Sequence, residues 1–124
     1  MNTTAKQINP SSAAAEDLVL QELRNGVATL TLNRPRQFNA LSEAMLTSLQ
    51  EKLERITENN AVRLVILQGA GKVFCAGHDL KEMIATREET YFNKLFKQCS
   101  RMMMILNQMP QPVIARIHGI ATAA

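Results

Sequence analysis

Short runs of β-branched and leucine residues, separated by turn residues, predict four strands. Residues 18–23 and 27–32 flank Asn25-Gly26, a pair that tolerates positive φ, and so predict a β-hairpin. Residues 64–69 form an apolar run that ends in glycine, the pattern of a strand buried on both faces of an α/β sheet. Residues 112–117 form a similar run. We expect this fourth strand to pair in parallel with the third.

Two longer segments carry apolar residues at intervals of three and four, and both predict amphipathic helices. Residues 42–58 begin with Ser42, a favourable N-cap, followed by Glu43 in the first turn. Residues 88–108 form the second segment, which Met109-Pro110 ends. Helices that alternate with strands in this way predict right-handed crossovers and an α/β fold.

Composition narrows the classes of function. The chain has 124 residues, of which 46% are hydrophobic, so it fits one small domain with a modest core. Its net charge of +3 is spread without a basic run, which does not indicate nucleic acid but is compatible with an anionic small ligand. Cys75 and Cys99 match no zinc pattern, so we expect no metal and a reducing compartment. We expect no membrane span either.

The first residues differ in composition from the rest. Residues 1–17 are small and polar and contain Pro10, so we expect a disordered tail followed by one domain over residues 18–124. The tail has no apolar core and no arginine, which argues against a secretory signal or a transit peptide. The expected location is therefore cytoplasmic.

The segment over residues 73–82 is where we expect the chemistry. It follows the third strand, and ligands of open α/β folds sit beyond the carboxyl ends of strands. Ala76-Gly77 leaves the main chain open to close approach, because glycine has no Cβ. The N–H of His78 can then point at developing negative charge, as the donor of an oxyanion hole does.

Three segments together resemble one family. Residues 74–82, Phe-Cys-Ala-Gly-His-Asp-Leu-Lys-Glu, resemble the F-x-A-G-x-D-(I/L)-K-E segment of the crotonase superfamily, the enoyl-CoA hydratases and isomerases. Residues 33–41 are similar to its N-R-P-x-x-x-N-A-L loop, and residues 112–119 to its K-P-V-I-A-x-(V/I)-x-G segment. The sequence of residues 76–82, together with that of residues 119–124, is most similar to the sequences of the branch called enoyl-CoA hydratase domain-containing protein 3.

The resemblance implies a fold and an activity. Members are about twice this length, so the chain resembles the N-terminal half of a crotonase-like stack of ββα units, which is incomplete because the chain ends there. The family binds acyl-CoA thioesters, stabilises an enolate through two backbone N–H groups, and hydrates 2-enoyl-CoA in fatty-acid metabolism. Coenzyme A enters as part of the substrate, without a separate cofactor. A homo-trimer or hexamer is implied for the full-length family.

Site residues follow by position. The two oxyanion donors map to the N–H groups of His78 and Ala124. A further role for the His78 imidazole stays open, since histidine titrates near neutral pH. The positions that contact CoA in the family map to Arg36, Phe38, Ala40, Ala76, His78, Asp79, Leu80 and Lys81.

Each assignment has a simpler alternative. Lys81 is as well explained by plain exposure as by a phosphate contact. Phe38 is also interpreted as a staple that packs against the following helix. Met102, Met103, Met104 and Met109 are more readily core residues than the lining of an acyl pocket.

Three hypotheses of function remain, the last of which is a structural fragment that binds no ligand. The two glutamates that move protons in family hydratases lie beyond Ala124, and we do not expect Asp79 and Glu82 to replace them. The first hypothesis is an enoyl-CoA hydratase/isomerase family member that is truncated here and inactive as a 124-residue chain. The alternative is a non-catalytic acyl-CoA-binding or regulatory protein of the same fold.

Overall fold

The hairpin predicted at the start of the domain is present. The computed structural model describes residues 18–122, so the expected tail and Ala124 lie outside the described residues. Strands β1 (Val19–Arg24) and β2 (Val27–Leu32) pair antiparallel. Asn25 and Gly26 form the turn between them with φ values of 53° and 82°, the left-handed backbone that this residue pair tolerates.

The other two strands complete a mixed sheet in the order β1-β2-β3-β4. Strand β3 (Leu64–Gly69) pairs in parallel with β2, and β4 (Val113–Ala115) pairs in parallel with β3. The predicted parallel pairing of the last two strands is confirmed. The fourth strand is shorter than the predicted residues 112–117, although the Arg116 N–H still donates to the Leu67 carbonyl at 2.8 Å.

Both long helices lie where periodicity predicts them. Helix α1 (Glu43–Thr57) connects β2 to β3. Its Ser42 N-cap accepts a hydrogen bond from the Met45 N–H at 3.1 Å. The short helix α2 (Leu80–Ala85) and the long helix α3 (Glu89–Gln108) connect β3 to β4. The α/β fold class is therefore confirmed.

The core lies between one face of the sheet and the two long helices. The buried positions that form it on the sheet are Val19, Ala28, Leu30, Leu32, Val65 and Leu67, and those on the helices are Met45, Leu46, Leu49, Leu53, Ile56, Leu95, Cys99 and Met102. Burial of this apolar surface stabilises the domain.

The opposite face of the sheet is less buried than expected. Leu64 and Ile66 of β3 are half-buried, and Ile114 of β4 is exposed. The prediction of a third strand buried on both faces is therefore wrong for the described residues, because the core elements pack on the other face. Leu20 of β1 adds further exposed apolar surface.

Candidate active site

A loop at the carboxyl end of β3 carries two of the predicted site residues, Ala76 and His78. Residues 75–78 lie between two other stretches of chain, through an isolated parallel bridge of His78 to Leu41 and another of Cys75 to Ala121. The Cys75 N–H donates to the Ile120 carbonyl at 3.2 Å, and the Thr122 N–H donates to the Cys75 carbonyl at 3.0 Å. This segment, which we call the donor loop, is thus supported on both sides.

The peptide N–H of His78 has no hydrogen-bond acceptor among the described residues. The Leu41 N–H donates to the Gly77 carbonyl at 2.7 Å, and the Asp79 N–H donates to the Leu41 carbonyl at 3.3 Å. The His78 amide lies between these two bonds and takes no part in the bridge, so it faces away from Leu41. Within residues 18–122 it donates no hydrogen bond. Gly77 precedes it with a φ of 85°, which turns the backbone at this point.

Residues 34–40, which we call the CoA loop, run beside the donor loop. The Ala76 N–H donates to the Phe38 carbonyl at 3.0 Å, which places two of the predicted CoA-contacting residues side by side. The Phe38 ring is 57% exposed. The interpretation of Phe38 as a hydrophobic staple is therefore wrong, because a residue this exposed does not pack on α1.

Asn39, which sequence reasoning did not single out, joins the two loops. Its fully buried Nδ2 donates to the carbonyls of Ala70, Val73 and Phe74 at 2.9, 3.1 and 3.1 Å. Its Oδ1 accepts from the Arg34 N–H at 2.7 Å. Every polar atom of the amide side chain is used, so Asn39 fixes the position of the CoA loop.

Arg34 makes a second connection between the loops. Its Nη1 donates to the Ala40 carbonyl at 3.0 Å and to Oδ2 of Asp79 at 2.9 Å. The other oxygen of Asp79 accepts from the Glu82 N–H at 3.1 Å and caps α2. Burial alone raises the pKa of Asp79, but these hydrogen bonds and the guanidinium outweigh it and lower the pKa. The Asp79 carboxylate therefore has a structural role.

Three of the remaining predicted contacts with CoA are exposed. Arg36, Leu80 and Lys81 all lie at the surface, in the CoA loop and in the first turn of α2. Their assignment to CoA stays a prediction, as does that of Ala40. Glu82, close by, accepts a hydrogen bond from the Glu43 N–H at 2.8 Å and so caps α1.

The His78 ring lies against helix α3. It meets the Phe96 ring edge-on, with centroids 5.4 Å apart. Both side chains line a cavity of about 400 Å³ together with Met103 and Met104. Burial lowers the pKa of the His78 imidazole, so the ring favours its neutral form.

The methionine cluster is divided between core and surface. Met102 and Met109 are buried and fill the core, as the simpler interpretation predicts. Met103 and Met104 are exposed and line the cavity beside His78. A smaller apolar cavity of about 130 Å³ lies behind the donor loop, between Cys75, Met103 and Thr122.

Three further observations concern the described residues alone. Residues 18–122 contain no group of three or more His, Cys, Asp or Glu side chains placed to hold a metal ion. No helix among them is long and apolar enough to cross a membrane. Cys75 and Cys99 are free, and burial raises the pKa of both thiols.

Known proteins with similar sequences point to one family. A family model described as enoyl-CoA hydratase/isomerase matches residues 27–122. Enoyl-CoA hydratase domain-containing protein 3, mitochondrial, of Danio rerio is 38% identical over 113 residues, which are 91% of this chain and 39% of that protein. The 1,2-epoxyphenylacetyl-CoA isomerase of Escherichia coli is 31% identical over 118 residues, 87% of this chain and 42% of that protein. The chain thus spans about two fifths of the length of these relatives.

Solved structures with a similar fold point to the same family. An enoyl-CoA hydratase of Mycobacterium smegmatis is 54% identical with a TM-score of 0.83, over 84% of this chain and 41% of that chain. Human enoyl-CoA hydratase domain-containing protein 3 is 35% identical with a TM-score of 0.77, over 82% of this chain and 40% of that one. The predicted crotonase-like fold, and the resemblance to that branch, are confirmed. The chain belongs to the enoyl-CoA hydratase/isomerase family.

Proposed function

We propose that this chain binds an acyl-CoA thioester along the CoA loop and directs the N–H of His78 at the thioester carbonyl. In the extended protein, by which we mean this chain continued past Ala124 to the length of its relatives, that interaction serves hydration of a 2-enoyl-CoA. Coenzyme A is then part of the substrate, and we expect a trimer or hexamer.

One observation carries the proposal. The His78 amide has no acceptor within residues 18–122, and it follows a glycine with a φ of 85° beside the loop whose residues match CoA contacts. A backbone N–H that is held in place by bonds on both sides needs little reorganisation when negative charge develops on a carbonyl oxygen. Removing one such donor in comparable sites lowers turnover about 100-fold to 1,000-fold.

Hydration also requires proton transfer. A positioned acid or base contributes about 100-fold to 10,000-fold, and it must reach the reacting water or carbon. The carboxylates next to His78 are engaged elsewhere, since Asp79 binds Arg34 and caps α2 while Glu82 caps α1. The proposed proton-transfer groups are glutamates beyond Ala124, and the 124-residue chain alone is proposed to be inactive.

The engagement of the two carboxylates favours a second candidate function. With both neighbouring carboxylates used as helix caps, the described residues fit a non-catalytic acyl-CoA-binding or regulatory protein. The sequence past Ala124 separates the two candidates. Glutamates at the family's positions favour the hydratase, and other residues there favour the binding protein.

The experiment compares two substitutions at His78 in the extended protein. His78→Ala keeps the N–H and should retain turnover of a 2-enoyl-CoA within about threefold, whereas His78→Pro removes the N–H and should lose at least about 100-fold. Circular dichroism and CoA affinity serve as controls for folding. A large loss in folded His78→Ala would contradict the backbone assignment and give the imidazole the role.

A further inference from the structure

Arg34 connects the loop that matches CoA contacts to the residue that follows the proposed donor. One nitrogen, Nη1, donates both to the Ala40 carbonyl at 3.0 Å and to Oδ2 of Asp79 at 2.9 Å. The ion pair is partly shielded from water, with 23% of the Arg34 side chain and 12% of the Asp79 side chain exposed. Arg34 does not line the cavity beside His78.

Asp79 transmits that contact to the donor amide. Its N–H forms one of the two bridge bonds that orient His78, and its carboxylate caps α2. The bond from the Asp79 N–H to the Leu41 carbonyl is 3.3 Å long, whereas the bond from the Leu41 N–H to the Gly77 carbonyl is 2.7 Å long. The Asp79 bond is therefore the weaker constraint on the His78 peptide. The ion pair therefore reinforces the donor loop where the backbone bonds are weaker.

We propose that Arg34 is a positioning residue for the oxyanion donor, which acts through Asp79 to fix the direction of the His78 N–H. This assignment rests on the proposed function. Since a displacement of about 1 Å costs on the order of 100-fold in rate, loss of the ion pair lowers kcat about 10-fold to 100-fold. CoA affinity, and with it KM, changes less than about threefold.

The side chain of Arg34 can be removed without releasing the CoA loop. The loop is held separately by Asn39, whose Oδ1 accepts from the backbone N–H of Arg34. The Gln37 and Asn39 N–H groups also donate to the Arg34 carbonyl, both at 2.9 Å. These bonds involve the main chain of residue 34, and Arg34→Met retains all of them.

The test uses four variants of the extended protein. Arg34→Met removes the ion pair, and Asp79→Asn removes it while keeping a side chain that caps α2. Arg34→Lys keeps the charge and should recover part of the lost kcat. Arg101→Met, at an exposed position on α3, is the matched control for loss of an arginine and should behave as the unchanged protein.

Two readouts accompany each variant. The first is the separate measurement of kcat and KM for a 2-enoyl-CoA. The second is the red shift of the bound enoyl-thioester absorbance, which reports polarisation of the carbonyl. We expect Arg34→Met and Asp79→Asn to lower kcat and reduce the red shift. For Arg34→Met we expect little change in KM, whereas the KM of Asp79→Asn does not enter the test because Asp79 is itself a predicted CoA contact. If Arg34→Met does not fold, the result for Asp79→Asn alone decides whether the ion pair positions the His78 N–H.

The outcomes separate the two proposals. If the unchanged protein shows no red shift, the proposed oxyanion donor fails and the role of Arg34 fails with it. If the unchanged protein shows the shift and folded Arg34→Met and Asp79→Asn retain both shift and kcat, the role of Arg34 is overturned alone. A rise in the KM of Arg34→Met without a fall in its kcat also overturns it, because Arg34 would then act in binding.

Discussion

Replacement of Asn39 with alanine should destabilise the domain far more than a typical loop substitution. The change removes four hydrogen bonds, three from Nδ2 to the carbonyls of Ala70, Val73 and Phe74 and one from the Arg34 N–H to Oδ1. It also places alanine at a φ of 55°, a left-handed conformation that asparagine tolerates better. The CoA loop and the donor loop then lose a shared anchor.

The magnitude can be worked from these contacts. A hydrogen bond contributes a net of about 0.5–1.5 kcal/mol, and a buried group left without a partner costs about 1–3 kcal/mol. Water can reach part of the loop edge and satisfy some of the four orphaned groups. We therefore expect a loss of about 3–5 kcal/mol in the free energy of unfolding, a large share of the roughly 5–15 kcal/mol typical of a domain.

Asn25→Ala is the matched control. Asn25 has nearly the same backbone, with a φ of 53°, but it is exposed and its side chain makes no hydrogen bond within residues 18–122. Urea unfolding followed by circular dichroism should separate the two variants by about 2–4 kcal/mol, or roughly 2 M in midpoint. A difference below about 1 kcal/mol would refute the reasoning that the Asn39 side chain anchors the loops.

Three further predictions concern the same site. Gly69→Ala should destabilise by at least about 2 kcal/mol in urea unfolding, since its Cβ would lie 2.5 Å from the Phe74 carbonyl oxygen; unchanged stability would contradict this packing. Because the His78 pKa is lowered from 6.5, the unfolded chain binds the proton more tightly, so stability falls as pH drops below that value. His78→Gln should flatten that part of the pH profile. The 124-residue chain should leave enoyl-CoA absorbance unchanged, and turnover equal to the extended protein's would refute this.

The elements that sequence predicts well depend on local patterns. The hairpin follows from Asn25-Gly26 between two apolar runs, and α1 follows from Ser42 and the spacing after it. Burial on both faces of β3 was predicted wrongly, because an apolar run does not show which elements cover each face. The alternative interpretation of Phe38 as a staple was wrong for a related reason, since the local sequence does not show that this residue stays exposed in the folded loop.

The sequence predicts many residues of the candidate site, but it does not predict the contacts that hold them in place. The motif predicts roles for His78 and the CoA loop, and within residues 18–122 the His78 N–H beside that loop donates no hydrogen bond. Arg34 and Asn39 were missed although both are fixed letters of the N-R-P-x-x-x-N-A-L motif, whereas Arg36 is a variable one. Their contacts join residues 45 and 31 positions apart, and no local pattern encodes such pairs.

The direction of the His78 N–H is the central claim, and amide chemical shifts of the isotopically labelled chain test it most directly. Titration with a saturated acyl-CoA should move the His78 amide proton downfield, because it gains a carbonyl acceptor, whereas coenzyme A without a thioester should not. The Arg63 amide is the internal control, since it already donates to the Gly26 carbonyl at 2.8 Å, at the end of β2 and β3 opposite the site. Loop amides that shift with both ligands while that of His78 stays unchanged would contradict the account.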